Sequence, residues 1–161
     1  MQSVASAIAR LGVLAETTAV SRLAAAFAAS GHELALVGGP VRDAFLDRGT
    51  NDLDFTTDAN PDQILAIVTP ISEAQWDIGR QFGTIAAKIA GETVEITTYR
   101  TDSYVDGTRK PEVVFGTSLN DDLVRRDFTV NSKFYLRPHY QLEGLTVSLS
   151  LVSKLPSAKS A

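Results

Sequence analysis

The chain of 161 residues contains no cysteine. Disulfides and thiolate metal sites are therefore excluded. It also lacks any apolar run near the ~20 residues needed to cross a bilayer, so a membrane span is a poor reading. Excess positive charge is missing as well: the net charge is −4. Such a balance argues against gripping nucleic acid by bulk electrostatics, and an RNA partner would be met mainly at a chemical site. There is no internal repeat, low-complexity block, Ser-His-Asp arrangement, Walker loop or dinucleotide fingerprint. The two histidines, His32 and His139, stand apart without a second ligand at metal spacing and are expected at the surface. Trp76 is expected in the core rather than as a base-stacking platform. The N-terminal MQSVASAIARLGVLAETT is Ala-rich, but it has no basic start and Arg10 and Gly12 interrupt it. It reads poorly as a signal peptide, which leaves the cytoplasm as the expected compartment.

What is present suits one ordinary domain with a sizeable core, with 44% apolar and 21% charged residues. Thr17 to Ser30 has apolar residues at helical spacing, and Gly31 follows as a C-cap. Glu33 to Val37 reads as a short buried strand stopped by Gly38-Gly39. Pro40 suits the first turn of a helix running to about Arg48, where Gly49 ends it. Asp52 to Thr57 alternates like a strand, and Pro61 to Val68 reads as a helix capped by Asp58 or Asn60. Thr84 to Ile89 and Thr93 to Tyr99 are rich in β-branched residues around Gly91, which predicts a hairpin. Residues 101 to 118 read as a long polar loop. Leu119 to Tyr135 reads as a helix, broken near Asp127. This order predicts an α/β or α+β domain with a mixed sheet flanked by helices.

Three groups of residues could carry chemistry. Side chains two apart in a strand leave the same face, so Asp52 and Asp54 would converge while Leu53 and Phe55 face the core. Converging carboxylates repel, and a divalent cation relieves the repulsion; hard oxygen ligands suit Mg²⁺. Taken alone, Asp-x-Asp is common and reads better as the solvated end of a strand. It lies about ten residues after Gly38-Gly39 and Arg42, however, across a strand-turn-helix. The glycine pair lets backbone N–H groups approach an anion, and Arg42, one turn on, could reach phosphate oxygens. A tight turn and an Arg42–Asp43 surface pair are the plainer readings. Glu95 faces away from Val94 and Ile96, and would join the acidic pair if its strand neighbours theirs. Otherwise it is an exposed strand glutamate. Arg125-Arg126-Asp127 suits a nucleotide, with arginine on phosphate or ribose and aspartate on a ribose hydroxyl; a solvated helix end would look the same.

Taken together, LVGGPVRDAFLDRGTNDLDFTT resembles the first signature of the class II tRNA nucleotidyltransferases and related bacterial poly(A) polymerases, of the polymerase-β-like superfamily. FGTIAAKIAGETVEITTYRTDSY and DLVRRDFTVN resemble two further segments of that family, in the right order. The resemblance spans residues 33 to 131 and implies a nucleotidyltransferase head over 1–136. Residues 137–161 carry none of these signatures and are expected to be a divergent or truncated tail. The resemblance implies Mg²⁺ on Asp52 and Asp54, with Glu95 as a third catalytic acid. It implies nucleotide contacts from Gly38, Gly39, Arg42, Arg126 and Asp127, with Arg125 nearby. It further implies CCA addition to a tRNA 3′ end from CTP and ATP. Poly(A) addition and a non-catalytic nucleotide-binding head are the alternatives, the latter because no segment matches the family's neck, body and tail domains.

Overall fold

In a computed structural model that describes residues 3–49, 51–103, 112–116, 118–124, 132–141 and 144–153, two helices lead into a mixed sheet. α1 (Val4–Ala15) begins at Ser3, whose hydroxyl accepts from the Ser6 N–H. It buries Ala7, Leu11 and Ala15, four residues apart, along one narrow stripe. Sequence reading assigns no helix here, because a stripe made largely of alanine contrasts little with its surroundings. α2 (Thr18–Ala29) buries Val20, Leu23, Ala24 and Phe27, close to its expected bounds. The two helices meet at 80°, and among the described residues no single helix is long and apolar enough to cross a membrane.

The main sheet has seven strands in the order β3-β4-β5-β2-β1-β8-β9. These are β1 (Leu34–Val37), β2 (Leu53–Thr57), β3 (Ala74–Trp76), β4 (Thr84–Ile89), β5 (Glu92–Thr98), β8 (Ser132–Gln141) and β9 (Gly144–Ser153). Only β2 and β5 run parallel; the other neighbours are antiparallel. α3 (Gly39–Phe45) links β1 to β2, and α4 (Pro61–Val68) follows β2. Pro61 opens α4 behind a complete capping box, in which Asn60 and Gln63 each accept the other's backbone N–H at 2.9 Å. Asn60, not Asp58, is thus the cap. Asp58 instead accepts the Glu33 N–H at 2.9 Å and lies 3.1 Å from Nδ1 of His32, so His32 is half-buried and partnered.

One sheet face forms the core. Leu34 and Leu36, Leu53 and Phe55, Ile85, Ala87 and Ile89, and Val94 and Ile96 pack against Leu11, Leu23, Phe27 and Ile64 of the helices. The intervening residues of β4 and β5, among them Thr84, Ala86, Lys88, Glu95 and Thr97, stay at least partly exposed on the other face. Period-two alternation therefore separates a buried apolar face from a more polar, partly exposed one.

Four expectations change. The 101–118 segment is not loop throughout: β6 (Arg100–Ser103) pairs with β7 (Glu112–Phe115) as a separate two-stranded sheet. The helix expected to run to Tyr135 is short, α5 (Leu119–Val124), and Ser132 to Tyr135 belong to β8. β8 hydrogen-bonds the side of β1 away from β2, at Ala35↔Tyr135 and Leu36↔Phe134, so a strand edge needing a partner outweighs local helical spacing. β8 also runs through position 136 and pairs with β9 from Ser132↔Ser153 to Gln141↔Gly144. α3 stops at Phe45, short of Arg48. Trp76, placed in the core by composition, is 42% exposed on the edge strand.

Neighbouring positions on β5 test the two-faced sheet. Ile96→Ala is expected to cost about 2–5 kcal/mol in urea unfolding as a core cavity forms, whereas Glu95→Ala stays within about 0.5 kcal/mol. Equal costs would contradict the face assignment.

Candidate functional site

β2 lies inside the sheet, between β1 and β5, and its register brings the sequence-predicted residues together. Val37 opposes Asp54, Asp54 opposes Glu95, and Glu95 opposes Ala86. Directly opposed residues share a sheet face, so Asp54 and Glu95 stand side by side on the face turned from the core. Asp54 is half-buried and Glu95 exposed. Asp52 lies exposed immediately before β2, where strand alternation carried back two residues sets it on the same face as Asp54.

The Gly38-Gly39 turn follows β1 directly and is held against this row. Gly38 has φ +71°, and a Cβ there would lie 3.2 Å from Oδ2 of Asp54. Glycine is needed twice over: for the dihedral, and for the approach of backbone to carboxylate. α3 begins at Gly39, with Pro40 buried in its first turn. Proline has no N–H, so the first-turn donors of this helix are those of Gly39 and Val41. Arg42, whose N–H bonds the Gly38 carbonyl at 3.1 Å, is largely exposed. Its Nε donates to Asp43 Oδ1 at 3.1 Å, and Nη2 lies 3.8 Å from where a Gly39 Cβ would be. The Arg42–Asp43 pair read as the plainer alternative is thus real. An exposed pair of this kind contributes little, so the guanidinium can exchange its partner for a phosphate at small cost.

Like charges directly opposite one another destabilise a sheet, and a bound cation removes the conflict. Among the described residues no three His, Asp or Glu side chains gather closely enough to hold a metal by themselves. The donor set is instead a carboxylate pair with a third acid in register. That suits an ion which keeps several waters and takes its other oxygens from a substrate's phosphates, as Mg²⁺ does. Arg125, Arg126 and Asp127 lie outside the described residues; α5 ends at Val124, just before them.

Sequence reasoning missed one residue of this region. Asp122, in the first turn of α5, is fully buried. Its Oδ2 accepts from the Thr56 hydroxyl and its Oδ1 from the Arg100 N–H, each at 3.2 Å. Thr56 sits two residues beyond Asp54 on β2, so this carboxylate ties the segment preceding Arg125 to the acidic strand. Asp122 belongs to the DLVRRDFTVN segment, but nothing in the sequence distinguishes it from the exposed Asp121 beside it.

The turn yields a stability prediction. Gly38→Ala is expected to cost about 1–3 kcal/mol in chemical denaturation, from the disfavoured dihedral and the contact with Asp54. Gly49→Ala, with no atom within 4 Å of its Cβ and no positive φ, is expected to be near neutral. Indistinguishable effects would mean that the turn is not held against the carboxylate.

Among known proteins, the poly A polymerase head domain family matches residues 34–146. The chain is 45% identical over 104 residues to the CCA-adding enzyme of Bacillus subtilis, an alignment covering 64% of this chain and 25% of that protein. It is 45% identical over 103 residues to the CCA-adding enzyme of Staphylococcus haemolyticus, covering 63% and 25%. The chain thus spans about a quarter of the length of these relatives. The crystal structure of the Bacillus stearothermophilus CCA-adding enzyme in complex with CTP is similar over 85% of this chain and 29% of that one, at 29% identity and a TM-score of 0.62. A tRNA nucleotidyltransferase complexed with a primer tRNA and an incoming ATP analog is similar over 83% and 34%, at 27% identity and a TM-score of 0.56.

Proposed function

Because this chain belongs to the poly A polymerase head domain family, we propose that its acidic row is the catalytic site of a nucleotidyltransferase that performs CCA addition, joining CMP and AMP from CTP and ATP to the 3′ end of tRNA. The observation that carries the reading is the register placing Asp54 beside Glu95 with the Gly38 backbone against Asp54. An anion cradle and a cation site then adjoin, which is what a nucleoside triphosphate with its metal requires.

The roles follow from chemistry and position. The backbone donors of the Gly38-Gly39 turn and the Arg42 guanidinium hold the triphosphate, with Arg42 leaving Asp43 for a phosphate oxygen. Asp52 and Asp54 hold the divalent ion, Mg²⁺ by the hardness and number of the ligands, and Glu95 adds negative charge beside it. A divalent ion held by these carboxylates would supply the positive charge that acidifies the attacking hydroxyl and offsets the charge of the departing pyrophosphate. The 3′ hydroxyl attacks the α-phosphorus, the bond to the β-phosphate oxygen breaks, and pyrophosphate leaves in line. Arg126 and Asp127 contact the incoming nucleotide, with Arg125 nearby. Asp122, bonded to the Thr56 hydroxyl, steadies α5 against the acidic strand. The reaction belongs in the cytoplasm, where tRNA is processed.

The test is incorporation of labelled CTP or ATP, in separate tubes with Mg²⁺, into tRNA lacking its 3′ CCA. The wild-type chain is expected to incorporate label. Asp52→Ala is expected to abolish transfer with the thermal unfolding midpoint kept within a few degrees, since removing one of two repelling carboxylates relieves charge. Use of CTP identifies CCA addition; ATP alone, added repeatedly, identifies poly(A) addition. Binding of CTP without transfer would identify a nucleotide-binding head that needs further domains. Full activity in Asp52→Ala would overturn the site.

A further inference from the structure

The row that carries Asp54 and Glu95 does not end at Ala86. Ala86 on β4 opposes Trp76 on β3, so one register line crosses five strands as Val37, Asp54, Glu95, Ala86 and Trp76. Opposed residues share a face, which puts the indole on the same face as the acids. Three strand spacings of about 4.8 Å separate Trp76 from Asp54, roughly 14 Å along the sheet. Glu95 and Ala86 lie between them, and only the methyl group of Ala86 separates the indole from Glu95, so the floor beside the acids is low.

Trp76 is 42% exposed, and β3 is the outermost strand on its side of the sheet. Large aromatic rings are normally buried for their apolar area, so a tryptophan left open beside a candidate reaction centre asks for a ligand. The turn that follows adds Ile78 at 85% and Phe82 at 51% exposure. This turn is fastened from behind. The Arg100 guanidinium donates to the Phe82 carbonyl at 3.2 Å, and the Phe115 ring covers Gly83 so closely that a Cβ there would meet it at 2.5 Å. Lys88 supplies the charge: it opposes Ala74, two residues before Trp76, and points to the same face. Among the described residues, Lys88 makes no ion pair.

A fixed, open aromatic ring with an adjacent cation, continuous with a site for a nucleic-acid 3′ end, is the arrangement that holds an unpaired strand: bases stack on the ring and the cation meets the backbone. We propose that Trp76 is a stacking platform for an unpaired base near the 3′ end of the RNA acceptor, with Lys88 on an adjoining phosphate. The span of roughly 14 Å is within reach of the last few nucleotides of a strand whose terminal hydroxyl lies at the acidic row. The proposal rests on the nucleotidyl-transfer reading and adds a subsite to it.

Trp76 is the single tryptophan of the chain, so its fluorescence reports on this position alone. The full chain would be titrated with tRNA ending in CC, and with the same tRNA carrying abasic residues at its last three positions. The intact RNA is expected to quench Trp76 and the abasic RNA to bind about tenfold more weakly with little quench. Trp76→Ala is expected to weaken intact-RNA binding about tenfold, by anisotropy of a labelled RNA, while Trp76→Phe stays within about threefold. Asp52→Ala, which loses transfer under the reading above, is expected to keep the quench, so the two ideas fail separately. Emission unchanged across the titration, equal binding of abasic RNA, or an emission shift that follows protein concentration without RNA would each overturn the platform. The last would mark a contact with a second copy.

Discussion

The register of β2 is the constraint on which the site depends. Leu53 and Phe55 go into the core while Asp54, between them, faces out. A one-residue slip against β1 and β5 would exchange the faces, exposing two large apolar side chains and driving a carboxylate into a packed interior. Each exposed apolar side chain costs about 1.5–3 kcal/mol, and an unpaired buried carboxylate costs several more, so the alternative register is not populated. Because β2 is bonded on both edges, fixing it fixes its neighbours. Gly38 falls beside Asp54, Glu95 on its other flank, and Thr56 under Asp122.

That arrangement is not what stability alone would select. Asp54 and Glu95 are like charges in directly opposed positions, and Gly38 occupies a dihedral closed to most residues. The apolar face beneath carries no such conflict. Local costs gathered on one face of an otherwise well-packed sheet are what a functional site typically carries. Under the proposed function, a divalent ion would relieve the carboxylates and a triphosphate would meet the donors of the glycine turn.

Much of this was legible in the sequence, and the residues show why. The hairpin of β4 and β5 was readable because its β-branched residues alternate with period two around Gly91. α4 was readable because Pro61 and Asn60 announce its start. The acidic pair, the glycine turn and Arg42 lie within one strand-turn-helix-strand segment, so local spacing sufficed. What was not legible depends on contacts distant in sequence. Glu95 joins Asp54 only because β5 pairs parallel to β2, and a strand sequence does not name its neighbour. α1 hides in an alanine stripe. Ser132 to Tyr135 can form a helix or a strand, and the open side of β1 decides. Trp76 was misplaced because an aromatic ring in a short strand normally means core, and its exposure follows from the edge position of β3.

The central claim, that the glycine turn and the acidic strand form one metal–triphosphate site, is tested most directly by calorimetric titration of CTP with and without Mg²⁺. Wild-type chain and Asp54→Asn would be compared; the asparagine keeps the shape of the side chain and removes its charge. Mg²⁺ is expected to tighten CTP binding by about tenfold or more in the wild type and to have little effect in the variant. Binding indifferent to the metal, or a variant that keeps the full metal dependence, would contradict it.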